Sequence, residues 1–135
     1  MHAANLPVVT ALTAGILIFI QMALMLTVVV ARRRNRQSLS DGGNPALLQA
    51  IRRHGNFAEN AAIFIAGFAL LELMGGNRLG IEIMSAIFVA GRLSHAVGLS
   101  LQPPVNIYRT AGIALTAFVG FTLAVRLVLI GLANL

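Results

Sequence analysis

The sequence predicts an all-α protein, a bundle of four transmembrane helices running up and down. Three observations predict it. Of the 135 residues, 58% are apolar and 10% charged, against about 45 to 50% and roughly 25% in an ordinary soluble domain, and the mean hydropathy is +0.85. Four apolar stretches each reach the ~20 residues that span a hydrocarbon layer ~30 Å thick. The breaks between them are short, so neighbouring helices must be antiparallel.

The first span is placed near residues 6–31, "LPVVTALTAGILIFIQMALMLTVVVA". Its apolar run exceeds the ~7 to 15 residues of a signal-peptide core and has no basic segment ahead of it, so it reads as a membrane helix. Gln21 is its one strongly polar side chain, open to two readings: an interhelical hydrogen bond or a ligand contact. The second span is placed near 47–74, with Asn44 as N-cap and Pro45 at the first helical position. Gly75, Gly76 and Asn77 close it, being residues that tolerate left-handed geometry. The third and fourth are placed near 80–101 and 105–133, with Pro103 and Pro104 opening the fourth. Gly112, Thr116, Gly120 and Ala124 recur at four-residue intervals on helix 4, a spacing that lets another helix approach closely.

Ten arginines, no lysine and four acids give a net charge of +6. In a soluble chain that excess would suggest a nucleic-acid partner; here its position matters more, and no nucleic acid is expected. Arg32, Arg33, Arg34 and Arg36 follow helix 1 as topology determinants, so this loop is expected to be cytoplasmic and both termini to face out. The 32–44 segment is the one stretch expected to be mobile. Helices 2 and 4 then begin on the cytoplasmic side, where their dipoles favour an anion. The chain has no cysteine, which excludes a thiol nucleophile of its own, a disulfide framework and thiolate metal sites. Its two interior histidines, His54 and His95, lack a partnering set with metal spacing.

Ionisable residues inside a span cost roughly 2.5 to 3.5 kcal/mol each and normally face protein or water. Arg52, Asn56 and Glu59 fall at i, i+4 and i+7, one face of helix 2; Arg92 and His95 fall at i and i+3 on helix 3. Counting at ~1.5 Å per residue puts Glu59 and Arg92 roughly 15 to 18 Å deep, Asn56 and His95 roughly 10 to 14 Å, and Arg52 and Arg109 roughly 6 to 8 Å. This describes a funnel with arginines at its mouth and an expected Glu59 to Arg92 ion pair at its floor. That pair is open to two readings, a structural tie between helices or part of a site. Arg126 and Glu72 at the far end are expected to snorkel or pair, and Arg78 and Glu82 to be interfacial.

The segments "DGGNPALLQAIRRHGNFAEN", "AGRLSHAVG" and "NIYRTAG" resemble the MAPEG family, the membrane-associated proteins in eicosanoid and glutathione metabolism, and in particular its small bacterial members. The resemblance covers essentially the whole chain and implies one domain over residues 1–135. It implies a homotrimer in the bacterial inner membrane, with glutathione as co-substrate at cytoplasm-facing sites between subunits. Carried over by position, Arg52, Asn56, Glu59, Arg92 and His95 match glutathione-binding residues, and Arg109 matches the catalytic arginine that stabilises the thiolate. One of Arg32 to Arg34 corresponds to the arginine ending helix 1, in a register the sequence leaves open. Asn60 stands where many members have Tyr, and Leu99 where some have a second Tyr. The activity implied is a glutathione-dependent transferase or peroxidase acting on a lipophilic electrophile delivered from membrane lipid. The alternative is a non-catalytic membrane protein binding an anionic small molecule or lipid headgroup in the same cleft.

Overall fold

A computed structural model describes residues 6–135. Residues 1–5, part of the expected single domain, lie outside the described residues. Four helices follow one another, α1 Val8–Asn35, α2 Pro45–Leu73, α3 Arg78–Gly98 and α4 Ile107–Leu132, each long and apolar enough to cross a membrane. The described residues contain no strand. The protein is therefore an integral membrane protein of four antiparallel spans. α3 pairs most extensively with α4, and α1 with α2. Both α2 and α3 contact all three other helices, while α1 and α4 do not meet. The inner pair is thus α2 and α3, flanked by α1 on one side and α4 on the other.

The helix boundaries follow local chemistry. Asn44 caps α2 by accepting the Leu47 N–H at 3.0 Å, with Pro45 at the first helical position, as the sequence predicts. Gly75, at φ 80°, closes the same helix. Asn77 then caps α3 by accepting the Gly80 N–H at 2.8 Å. The start of α4 departs from expectation: Asn106 is the cap, accepting the Arg109 N–H at 3.1 Å, and Pro103 and Pro104 lie in the connection before it. An amide that accepts an orphan N–H opens a helix more effectively than a proline several residues upstream.

α1 continues four residues past the expected end at 31, so Arg32, Arg33 and Arg34 form its last turn, where cations suit the negative end of the helix dipole. Arg36 then turns left-handed at φ 50°. The following loop is tied down. Arg32 Nη1 donates to the carbonyls of Gln37, Ser38 and Ser40 at 3.4, 3.2 and 2.9 Å. Asn44 Nδ2 donates to Asn35 Oδ1 at 2.6 Å, closing the loop at its base.

Between the helices the core is aromatic. Phe57, Phe68 and Phe88 are fully buried, and Phe64 stacks on Phe88 with ring centroids 4.1 Å apart. Lipid tails are as apolar as these side chains, so helix association rests on close packing and on buried hydrogen bonds. Gln21 supplies one such bond, its Nε2 lying 2.7 Å from His54 Nε2, which settles it as an α1 to α2 tie.

Glu72 supplies the other tie and corrects an expectation. It neither snorkels nor pairs with Arg126; it is 9% exposed and caps the start of α1. Its carboxylate accepts the Val9 N–H at 2.9 Å, the Thr10 N–H at 2.9 Å and the Thr10 hydroxyl at 2.8 Å. The reason is that Pro7, at the N-cap position, offers no side-chain acceptor, and free N–H groups at a helix start must be satisfied from elsewhere. Arg126 is exposed near Gly80. Arg78 and Glu82 pair with each other at 2.9 Å, the one salt bridge among the described residues.

Removing the Glu72 carboxylate strands three donors. Because hydrogen bonds to charged groups contribute about 1.5 to 3 kcal/mol each and act here as a unit, Glu72→Ala is expected to destabilise the fold by about 2 to 4 kcal/mol. Thermal unfolding followed by circular dichroism in detergent checks this, and an unchanged midpoint contradicts the assignment.

Candidate functional site

The polar residues predicted from sequence gather at the arginine-rich end of the bundle, but in three adjoining cavities rather than one funnel. The first, about 420 Å³, lies between α2, the end of α1 and the loop, and is lined by Arg32, Asp41, Arg52, Asn56 and Glu59. The second, about 540 Å³, opens between α2, α3 and α4 and carries Asn56, Asn60, Arg92 and His95 at its polar end, with Ile113 and Phe121 among its apolar walls. The third, about 510 Å³, lies over the connection to α4 and is lined by Arg52, Leu99, Pro104 and Arg109 among others. Arg52 borders the first and third cavities, and Asn56 the first and second. The face of α2 is the partition they share.

The expected ion pair between Glu59 and Arg92 is not formed. Arg92 is 3% exposed; its Nη2 donates to the Asn56 carbonyl at 2.7 Å, and its guanidinium lies 5.6 Å from the centre of the Phe57 ring, within range of a cation–π contact. Glu59 is exposed and faces the α1 side. Helix geometry gives the reason. At ~100° per residue, Glu59 is rotated about 60° from Asn56 in one direction and Asn60 about 40° in the other. Asn60 therefore turns toward Arg92 and His95, where its Nδ2 donates to the Asn56 carbonyl at 3.2 Å, while Glu59 turns away. Arg92 and His95 do lie together, both buried, and Arg92 Nε and His95 Nδ1 have no partner among the described residues.

Asn60 thus lines the same cavity as Arg92 and His95. Arg53 and His54, next to Arg52 in sequence, turn elsewhere: Arg53 Nη1 donates to Ser100 Oγ at 2.8 Å, and His54 meets Gln21.

Two residues that sequence reasoning passed over organise this end. Asn106 caps α4 through its oxygen, while its Nδ2 donates to the carbonyls of Gly98 at 2.8 Å and Pro103 at 3.0 Å. Together with the bond from Arg109 Nη1 to the Pro104 carbonyl at 3.0 Å, this holds Arg109 at both its backbone and its guanidinium. The N-cap preference, read three residues ahead of Arg109, was the available signal. Asp41 lines the first cavity and carries no such signal, because its position depends on how the loop folds around Arg32.

Comparison with known proteins agrees with this architecture. The MAPEG family profile matches residues 10–129. This chain belongs to the MAPEG family. Two curated relatives, both described as "Inner membrane protein YecN", come from Escherichia coli strain K12 and Escherichia coli O6:H1 strain CFT073. Each is 34% identical over 90 residues, covering 67% of this chain and 69% of the relative. No solved structure gives a significant match.

In this MAPEG protein the candidate site residues of α3 and α4 are held in place by missing side chains. A Cβ at Gly112 would lie 2.6 Å from both the backbone N and the Cβ of His95, and 2.7 Å from the Gly91 carbonyl oxygen. A Cβ at Gly98 would collide with the backbone N of Arg109 and lie 2.7 Å from its Cα. The four-residue stripe on α4 divides accordingly. Its Gly112 and Thr116 are buried against α3 of the same chain, whereas Gly120 and Ala124 line the open cavity.

Backbone cannot yield as a flexible side chain does, so Gly112→Ala is expected to cost at least 1 to 3 kcal/mol, the range of core overpacking. Gly15→Ala on α1 meets nothing within 4 Å and is expected to be neutral or to stabilise by about 0.5 to 1 kcal/mol. Unfolding midpoints of the two variants, measured side by side in detergent, check the contrast; equal shifts contradict it.

Proposed function

We propose that this MAPEG protein is a glutathione-dependent membrane transferase or peroxidase acting on hydrophobic electrophiles. The observation that carries the reading is the adjacency of a cleft lined by charges of both signs and a larger cavity with a polar end and apolar walls, with Asn56 bordering both. A polar tripeptide and a lipophile need such neighbouring environments if their reacting atoms are to meet.

Glutathione carries two carboxylates and one ammonium. Arginines bind carboxylates with two parallel bonds, and Arg52 and Arg32 are placed for that role, with Glu59 for the ammonium. Arg92, His95 and Asn56 are the proposed contacts on the neighbouring cavity. A free thiol titrates near ~8.5, and a nearby guanidinium lowers that value, enlarging the nucleophilic thiolate fraction at neutral pH. Arg109, on the third cavity that adjoins the first across Arg52, is proposed to supply this charge. A guanidinium does not deprotonate in proteins, so Arg109 stabilises the anion while the thiol proton leaves to water. The sulfur then donates its electron pair to the electrophilic carbon, forming a C–S bond as the leaving group departs with its own pair. With a hydroperoxide, the sulfur attacks the terminal oxygen, the O–O bond breaks, and a second glutathione thiol completes the reduction to alcohol, water and disulfide.

The same reading places the protein in the bacterial inner membrane, with the arginine-rich end cytoplasmic, both termini outside and the sites completed in a homotrimer. The YecN relatives are described as inner membrane proteins. The arginine bias around residues 32–36 supports the orientation. The exposed small residue Ala124 supports close approach of another chain there.

A second reading, a non-catalytic protein that binds an anionic small molecule or lipid headgroup in this cleft, is favoured by one observation. Asn60 faces Arg92 and His95 with an amide where many members carry a tyrosine hydroxyl. Conjugation of glutathione to an aryl halide separates the two. Wild type is expected to turn over, and Arg109→Ala to lose turnover by about 10²-fold or more, the scale of removing one charge-stabilising donor, while still binding glutathione. Binding without turnover in the wild type favours the second reading.

A further inference from the structure

We propose that Asp41 is a ligand-binding residue of the first cavity, and that with Glu59 it selects ligands that carry a free ammonium group close to a carboxylate. The proposal rests on the glutathione reading above and adds a specificity element to it. Four charged side chains line this cavity, Arg32 and Arg52 on the one hand and Asp41 and Glu59 on the other. None of them pairs with another, since the one salt bridge among the described residues, Arg78 with Glu82, lies at the opposite end of the bundle.

Opposite charges that share a cavity ordinarily close on each other unless the fold holds them apart, and here it does. Arg52 and Glu59 are seven residues apart on one rigid helix, about 10 Å along its axis. Arg32 is committed through Nη1 to three loop carbonyls. Asp41 is anchored through Oδ1, which accepts the Gly43 N–H at 3.2 Å, and its half-buried side chain borders the cavity.

Separated charges of both signs complement a dipolar ion. A simple dianion would meet two carboxylates, and a simple cation two guanidiniums, so each is disfavoured by like charge. An α-amino acid end satisfies all four, its carboxylate toward the arginines and its ammonium toward Asp41 and Glu59. The cavity, about 420 Å³, falls within the range of small-molecule sites. The γ-glutamyl end of glutathione has this dipolar chemistry. Acylating its amine removes the positive charge and leaves the carboxylates.

The test uses the full chain in lipid nanodiscs, with calorimetric titration of glutathione, N-acetylglutathione and the thiol-free dipeptide γ-glutamylglycine. Wild type is expected to bind glutathione and γ-glutamylglycine, and to bind the N-acetyl compound at least tenfold more weakly. Asp41→Asn keeps the Oδ1 acceptor for Gly43 and so keeps the loop. It is expected to weaken the two amine-bearing ligands about fivefold to tenfold, and to bind N-acetylglutathione no more weakly than wild type does, because a like charge has been removed. Equal affinity of wild type for glutathione and its N-acetyl form, or equal loss of all three ligands in Asp41→Asn, overturns the Asp41 assignment and leaves the glutathione reading standing. Discrimination through Asp41 without turnover of any electrophile supports the assignment and overturns the catalytic reading. No binding of any of the three by wild type with intact helical circular dichroism overturns both.

Discussion

The crossing of α3 over α4 without intervening side chains is the interaction on which the rest depends. Gly98 lies against the backbone of Arg109, and Gly112 against the backbone of His95, so two glycines set the height of two candidate site residues on different helices. Gly91 lets Leu115 and the Gly112 carbonyl approach the same seam. Packing this close gives α3 and α4 little freedom to slide. His95 and Arg92 consequently stay buried beneath α4, and the start of α4 stays pinned under Asn106. The second and third cavities each take part of their lining from α3 and α4 around this seam.

A second constraint explains why polar groups appear where they do. In hydrocarbon every backbone donor and every charge needs a partner. At one end the requirement is met structurally, by Glu72 reaching from α2 to the unsatisfied start of α1. At the other end it is met only in part: Arg92 uses Nη2 on the Asn56 carbonyl, and its Nε, like His95 Nδ1, remains unpartnered. Gln21 Oε1, Arg53 Nε and Ser85 Oγ are likewise buried without a partner among the described residues.

Much of this was legible in the sequence. Hydropathy placed all four spans, and turn and cap residues placed most boundaries within a few positions. The i, i+4, i+7 spacing brought Arg52, Asn56 and Glu59 to one side of α2. What could not be read depends on rotation and on chain sections distant in sequence. A face defined by spacing is broad, and within it Glu59 and Asn60 diverge to opposite sides of Asn56, which replaced the expected Glu59 to Arg92 pair with a bond to backbone. Glu72 could not be matched to Thr10 because no local rule links residues 62 apart in sequence. Asp41 enters the cavity only because Arg32 gathers the loop carbonyls around itself.

The central claim is that this end of the bundle takes up glutathione and holds its sulfur as thiolate. The most direct test is the ultraviolet thiolate band of glutathione, recorded as a difference spectrum while the folded protein in nanodiscs is saturated at neutral pH. The account predicts a band that grows with occupancy and whose titration midpoint lies below that of free glutathione. Saturation with no thiolate absorbance, or a midpoint equal to that of the free tripeptide, contradicts it.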